Sequence, residues 1–132
     1  QMTADADSLL TYLKLAEYAD RAVGDLPFGI QKRVEFARAL ASKPKMLLLD
    51  EPAAGLNHSE LSDLANFIRT VRDDMGITVL LVEHHMNLVM EVSDWIVVLN
   101  FGKKIAEGTP DEIQRNPEVI RAYLGDGNNE TA

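Results

Sequence analysis

The sequence predicts an α/β fold: a mostly parallel sheet with flanking helices and a C-terminal β-hairpin. Three observations carry this. Met46-Leu47-Leu48-Leu49 is an apolar run without alternation that ends in Asp50-Glu51-Pro52, and such a run reads as a strand buried on both faces. A second β-type run, Ile77-Thr78-Val79-Leu80-Leu81-Val82, follows a stretch of helical spacing, and strands that alternate with helices imply a parallel sheet wrapped by helices. Asn100-Phe101-Gly102-Lys103 reads as a turn joining two further strands, Trp95–Leu99 and Lys104–Glu107.

The remaining elements follow from periodicity and from chain breakers. Leu9, Leu10, Leu13 and Ala16 fall at helical spacing, so the first part of the chain holds a helix. Gly and Pro in Val23–Gly29 break it. A second helix runs from near Ile30 to about Ser42 with Val34, Ala37, Leu40 and Ala41 as its apolar stripe. Pro52–Asn57 is a loop. A longer helix then runs from His58 or Ser59 to Met75, with Leu61, Leu64, Ala65, Ile68, Val71 and Met75 on one face and Gly76 as its stop. A short helix covers Met86–Val92, and two small ones near Asp111–Arg115 and Pro117–Tyr123 close the chain.

With 132 residues, 46% hydrophobic and 26% charged, the chain suffices for one ordinary globular core. The net charge of −8, from 13 basic and 21 acidic residues, argues against a nucleic-acid surface. The absence of cysteine excludes a disulfide framework and thiolate metal sites. No apolar stretch approaches the roughly 20 residues needed to cross a bilayer, and the polar start lacks the pattern of a secretory signal.

Asp50 and Glu51 stand at the carboxyl end of a strand, where open α/β sheets place their ligands. One acid can hold Mg²⁺, directly or through water, and the next can orient a water for attack on a phosphate. Taken alone, the pair also suits a strand that stops at a polar loop. Gly29, just before a helix, lets backbone N–H groups approach an anion that the helix dipole favours, although many such junctions are simple turns. Ala53-Ala54-Gly55-Leu56-Asn57 is a small-residue loop right after the acids, and His84 lies just past the end of the Ile77–Val82 strand.

Together and in this order, these features resemble the ATP-binding subunit of ABC transporters. Leu26–Leu40 looks like the signature motif with its following helix, Met46–Glu51 like Walker B with the catalytic glutamate, Ala53–Asn57 like the D-loop, and His84 like the switch histidine. Val82–Met90, Val97–Lys103 and the ending from Glu107 to Gly125 are similar to the branched-chain amino acid importers. A lipopolysaccharide-type exporter ATPase is related in sequence and is the alternative.

The resemblance implies a partial P-loop NTPase fold of the ABC type. It implies that residues 1–29 are a remnant of the helical subdomain carrying the signature, that 30–125 are the C-terminal part of the ATPase core, and that 126–132 are a flexible tail. It further implies ATP and Mg²⁺ as cofactors, sandwiched between two ATPase subunits that dock on permease subunits at the inner face of the membrane. Asp50 would hold Mg²⁺ through water, Glu51 would polarise the attacking water, and His84 would contact the γ-phosphate. Gly29, flanked by Phe28 and Ile30, would face the partner's nucleotide, and Asn57 would couple the two sites.

The sequence departs from the family pattern in several places. The signature usually reads Leu-Ser-Gly-Gly-Gln; here Pro27, Phe28 and Ile30 stand at the serine, first glycine and glutamine positions. The serine hydroxyl is gone, and Pro27 has no N–H. Asn57 replaces the usual aspartate, and His85 the acid that often follows the histidine. No Gly-x-x-x-x-Gly-Lys-[Ser/Thr] occurs in these residues. The expectation is therefore the carboxyl-terminal half of a nucleotide-binding domain, inactive alone. In this fold class the P-loop strand lies between the two strands read here as Ile77–Val82 and Trp95–Leu99. Unpaired edges there would promote self-association. A non-catalytic interaction module, or an ABC protein without a membrane partner, are the competing classes.

Overall fold

A computed structural model describes residues 2–124; the tail expected at 126–132 lies outside the described residues. In chain order it forms α1 (Met2–Tyr12), α2 (Phe28–Ala41), β1 (Met46–Asp50), α3 (His58–Asp73), β2 (Thr78–Val82), α4 (Met86–Val92), β3 (Ile96–Asn100), β4 (Lys103–Gly108), α5 (Pro110–Arg115) and α6 (Pro117–Val119). Short helical turns lie at Ala16–Tyr18, Val23–Asp25 and Ile120–Leu124. The chain divides into two compact units on either side of the Leu81–Val82 bond, within the stretch that the sequence groups as one core.

In the first unit, α1 stops at Tyr12, and Lys14 takes a left-handed backbone (φ 58°) that ends the helix short of Ala16. Helix α2 starts two residues before the position expected from sequence. Pro27 sets the entry, and its carbonyl accepts the N–H groups of Ile30 and Gln31 at 3.0 Å each. Ala37 and Leu40 are buried on α2, Val34 is half-buried, and Ala41 is exposed, so the apolar stripe is narrower than its spacing suggests. Helix α3 buries Leu64, Ala65, Ile68 and Val71, one face of a 3.6-residue period. It packs on α2 through stacked rings, Phe36 on Phe67 at 4.8 Å, and through Arg33–Asp63 at 3.0 Å. Gly76 (φ 66°) then turns the chain toward β2.

β1 and β2 pair with each other. The Thr78 N–H donates to the Lys45 carbonyl at 3.2 Å. That bond joins the starting ends of the two strands, as in a parallel pair. The expectation of burial on both faces is corrected here. Leu47 and Leu49 are buried, but Leu48 is 66% exposed, and Leu80 and Val82 on β2 are also exposed. A continuous apolar run marks a strand able to be covered twice; the described residues cover one face only.

In the second unit, β3 and β4 form an antiparallel hairpin from Ile96↔Gly108 to Asn100↔Lys103, with a bulge opposite Val98/Leu99. Ile96 and Val98 pack with Ile113 and Val119, and Val89, Met90, Ile105 and Ala106 close around them. Thr109 caps α5, and Pro110 occupies its first turn. Asn116 caps α6 in the same way. No ladder joins β1–β2 to β3–β4 among the described residues, and no described helix is long and apolar enough to cross a membrane.

The hairpin turn is Phe101-Gly102, with φ of 49° and 75°. Two positive φ values match the type I′ turn that suits hairpin twist, in which Asn or Asp is favoured at the first position. Phe101 is 97% exposed. Phe101→Asn is therefore expected to stabilise the protein by about 1 kcal/mol, measured as a raised urea midpoint at unchanged m-value.

Candidate functional site

Asp50 is the last residue of β1, and its side chain is exposed. Glu51, also exposed, adopts a left-handed backbone with φ of 47°. For a residue other than glycine this conformation is costly and is held only when its surroundings impose it. They do so on the loop side. The Ala54 N–H donates to the Glu51 carbonyl and the Leu56 N–H to the Ala53 carbonyl, each at 3.2 Å, while Pro52 and Ala53 are buried. Two adjacent carboxylates thus leave a fixed strand and point out of a tied-down turn.

The loop ends at Asn57, the N-cap of α3. Its side-chain oxygen accepts the Glu60 N–H at 2.9 Å, and the Glu60 carboxylate accepts the Asn57 N–H at 3.1 Å. This is a reciprocal capping box. Asn and Asp cap equally well, so asparagine in place of the family's aspartate costs the fold nothing.

The signature-like residues stand against this same loop. A Cβ at Gly55 (φ 78°) would lie 3.0 Å from the Phe28 ring, and a Cβ at Gly29 would lie 3.0 Å from the Glu60 carboxyl group. Gly55 needs glycine for its backbone, and both positions bring the chain into close approach with a neighbouring side chain. Phe28 remains 49% exposed, with the Lys32 ammonium 5.6 Å from its ring centroid. The N-cap residue of α2, Pro27, makes no side-chain cap. Gly29, Ile30 and Leu56 also line a cavity of about 460 Å³, together with Tyr12, Phe36 and Phe67; Asp50 and Glu51 do not reach it.

The structure therefore brings Phe28, Gly29 and Asn57 together with the loop that follows Asp50 and Glu51. His84 belongs to the second unit. Its ring is 72% exposed, and its Nδ1 lies 3.6 Å from the Glu83 carboxylate. Two residues were missed in the sequence. Glu60 was legible as the fourth member of Asn-x-x-Glu before an apolar run. Glu83 carries no sequence signal that separates it from any acid after a strand.

The donor set suits the expected cofactors in part. Mg²⁺ is usually held by one or two carboxylates together with waters and substrate phosphates, not by an all-protein cage. An exposed Asp50 at a strand end fits that pattern, and no group of three or more acidic or histidine ligands occurs among the described residues. The phosphate-cradling loop has no counterpart in the sequence.

A family profile described as ABC transporter matches residues 1–54, and one described as branched-chain amino acid ATP-binding cassette transporter matches residues 103–128. A crystal structure of the ADP conformation of an ATP-binding cassette of an ABC transporter superposes with a TM-score of 0.84 at 35% identity, over 95% of this chain and 50% of that one. The chain belongs to the ABC transporter ATP-binding family. Its fold is accordingly part of the P-loop NTPase cassette, as the sequence predicted. The chain is similar to the high-affinity branched-chain amino acid transport ATP-binding protein BraF of Pseudomonas aeruginosa, 50% identical over 89% of this chain and 46% of that protein. It is also similar to LivG of Escherichia coli K12, of the same description, 47% identical over 92% of this chain and 48% of that protein. The chain thus spans about half the length of the curated relatives it matches.

Asn57→Ala removes one half of the capping box and is expected to lower stability by about 1 kcal/mol, whereas Asn57→Asp leaves it near that of the parent. Chemical denaturation of the two variants side by side checks both outcomes.

Proposed function

We propose that this chain is the carboxyl-terminal part of an ATPase subunit of an ABC importer for branched-chain or related amino acids. The observation that carries the reading is the exposed pair Asp50 and Glu51 at the end of β1, on a loop tied down by the Asn57–Glu60 cap. The match of the branched-chain profile to residues 103–128 supports the importer type.

In this reading Asp50 holds Mg²⁺, which when bound would neutralise charge on the transferring phosphoryl group. Glu51 accepts a hydrogen bond from the attacking water and aligns it. His84 contacts the terminal phosphate. The first turn of α2 faces the nucleotide of a second ATPase subunit with the N–H groups of Phe28 and Gly29, flanked by Ile30, whose own N–H is bonded to the Pro27 carbonyl. The serine hydroxyl usual in that loop is absent at Pro27, so the contact rests on backbone and dipole. Asn57 couples the two sites through the loop it ends. The intact subunit would work at the cytoplasmic face of the membrane, bound to permease subunits. Positioning and charge stabilisation are what phosphoryl transfer chiefly needs.

These 132 residues include no P-loop sequence, so alone they are expected to bind ATP very weakly and to hydrolyse none above background. Joined to the P-loop-bearing portion of the Pseudomonas relative, they are expected to hydrolyse ATP. Glu51→Gln in that assembly should lower turnover by at least about 100-fold while retaining nucleotide binding. Silence of the parent assembly would favour the second reading, a non-catalytic interaction module, for which the altered Pro27-Phe28 signature speaks.

The exposed Leu48, Leu80 and Val82 side chains of the β1–β2 pair favour self-association of the chain on its own. Light scattering is expected to show mass rising with concentration; a constant monomer mass over a wide range would contradict this.

A further inference from the structure

Glu83 is a half-buried residue whose side chain is enclosed and to which the reading above gives no task. Its side chain is 1% exposed, whereas the His84 ring beside it is 72% exposed. Its Oε1 accepts the backbone N–H of His84 at 3.0 Å and that of His85 at 3.4 Å. The same oxygen lies 3.6 Å from Nδ1 of His84, within ion-pair reach.

A carboxylate buried this far is costly unless its oxygens are bonded. The two N–H groups satisfy Oε1, and they are themselves fixed by it. His85 is the residue from which α4 begins, and its own side chain makes no cap. The Glu83 carboxylate therefore holds the turn between β2 and α4. The two histidines differ in their surroundings: Nδ1 of His85 is buried without a hydrogen-bond partner, whereas Nδ1 of His84 faces Glu83. A carboxylate beside one ring nitrogen favours a proton there and so fixes the tautomer and the nitrogen left for a ligand.

We infer that Glu83 is the positioning residue for His84: it clamps the backbone at residues 84 and 85 and occupies the Nδ1 side of the ring, leaving Nε2 as the nitrogen presented to a terminal phosphate. The last clause rests on the ATPase reading; the clamp itself does not.

Two experiments test it. In the 132-residue chain, long-range nitrogen–proton NMR reads the tautomer of the neutral His84 ring. The proton is expected on Nδ1, and on Nε2 in Glu83→Ala. A ring already protonated on Nε2 in the parent, or an unchanged tautomer in the variant, would overturn the clamp.

In the assembly that carries the P-loop portion, Glu83→Ala is expected to lower kcat roughly tenfold or more, the scale on which orienting partners of an active histidine act, with KM for ATP within about twofold. Glu83→Gln keeps an acceptor oxygen and is expected to recover part of the loss; it also serves if the alanine variant folds poorly. Glu83→Ala/His84→Ala should be no slower than His84→Ala alone, because residues that act as one unit lose their effect once. Additive losses, or a change in KM alone, would overturn the assignment. If the parent assembly hydrolyses no ATP, the ATPase reading fails, and the tautomer measurement still decides the clamp.

Discussion

The chemistry of the first unit depends on β1 being held by β2. A strand in isolation has no reason to end at a defined point. Pairing with β2, begun by the Thr78–Lys45 bond, fixes its direction. Burial of Leu47 and Leu49 on one face fixes its depth, each contributing about 1.5–3 kcal/mol. Asp50 is then the point at which the backbone leaves the sheet, and Glu51 takes the strained turn that starts the loop. The far end of that loop is anchored by the Asn57–Glu60 cap. Two exposed carboxylates are thus set between two rigid elements, the condition under which charged groups can be aimed without reorganising.

The altered signature-like segment of this chain has a physical partner in the same loop. Phe28, where the family carries glycine, packs on Gly55 of the loop after the acids, and Gly29 packs on the Glu60 half of the cap. The start of α2 is therefore braced against the loop that the acids begin. An aromatic ring at position 28 trades backbone freedom for a contact that only a glycine partner at 55 admits. The change at Asn57 is neutral to the cap, since either amide or carboxylate oxygen accepts the Glu60 N–H.

Much of this was legible in the sequence because the signals were long or chemically specific. The apolar runs, the Phe101-Gly102 turn and the Met86–Val92 helix were read within a residue or two of their observed bounds. The start of α2 shifted because Pro27 pre-sets the entry, and α1 ended early because Lys14 turns left-handed. One-sided burial of β1 and β2 was not legible: composition reports what a strand can bury, while the covering layers are tertiary. Among the candidate site residues, Asp50, Glu51 and Asn57 were proposed from position and motif order. Glu83 could not be, since the depth of its carboxylate depends on how the chain folds back after β2, and neighbouring exposed acids read the same in sequence.

The claim on which the account stands is that the carboxyl end of β1 is where metal and phosphate meet. Crystallography of the chain joined to its P-loop portion, with Mn²⁺ and a non-hydrolysable ATP analogue, tests it most directly. The anomalous signal of the metal is predicted beside Asp50, bound directly or through one water, with Glu51 turned toward the terminal phosphate. A metal and nucleotide ordered elsewhere, with Asp50 and Glu51 both facing bulk solvent, would contradict it.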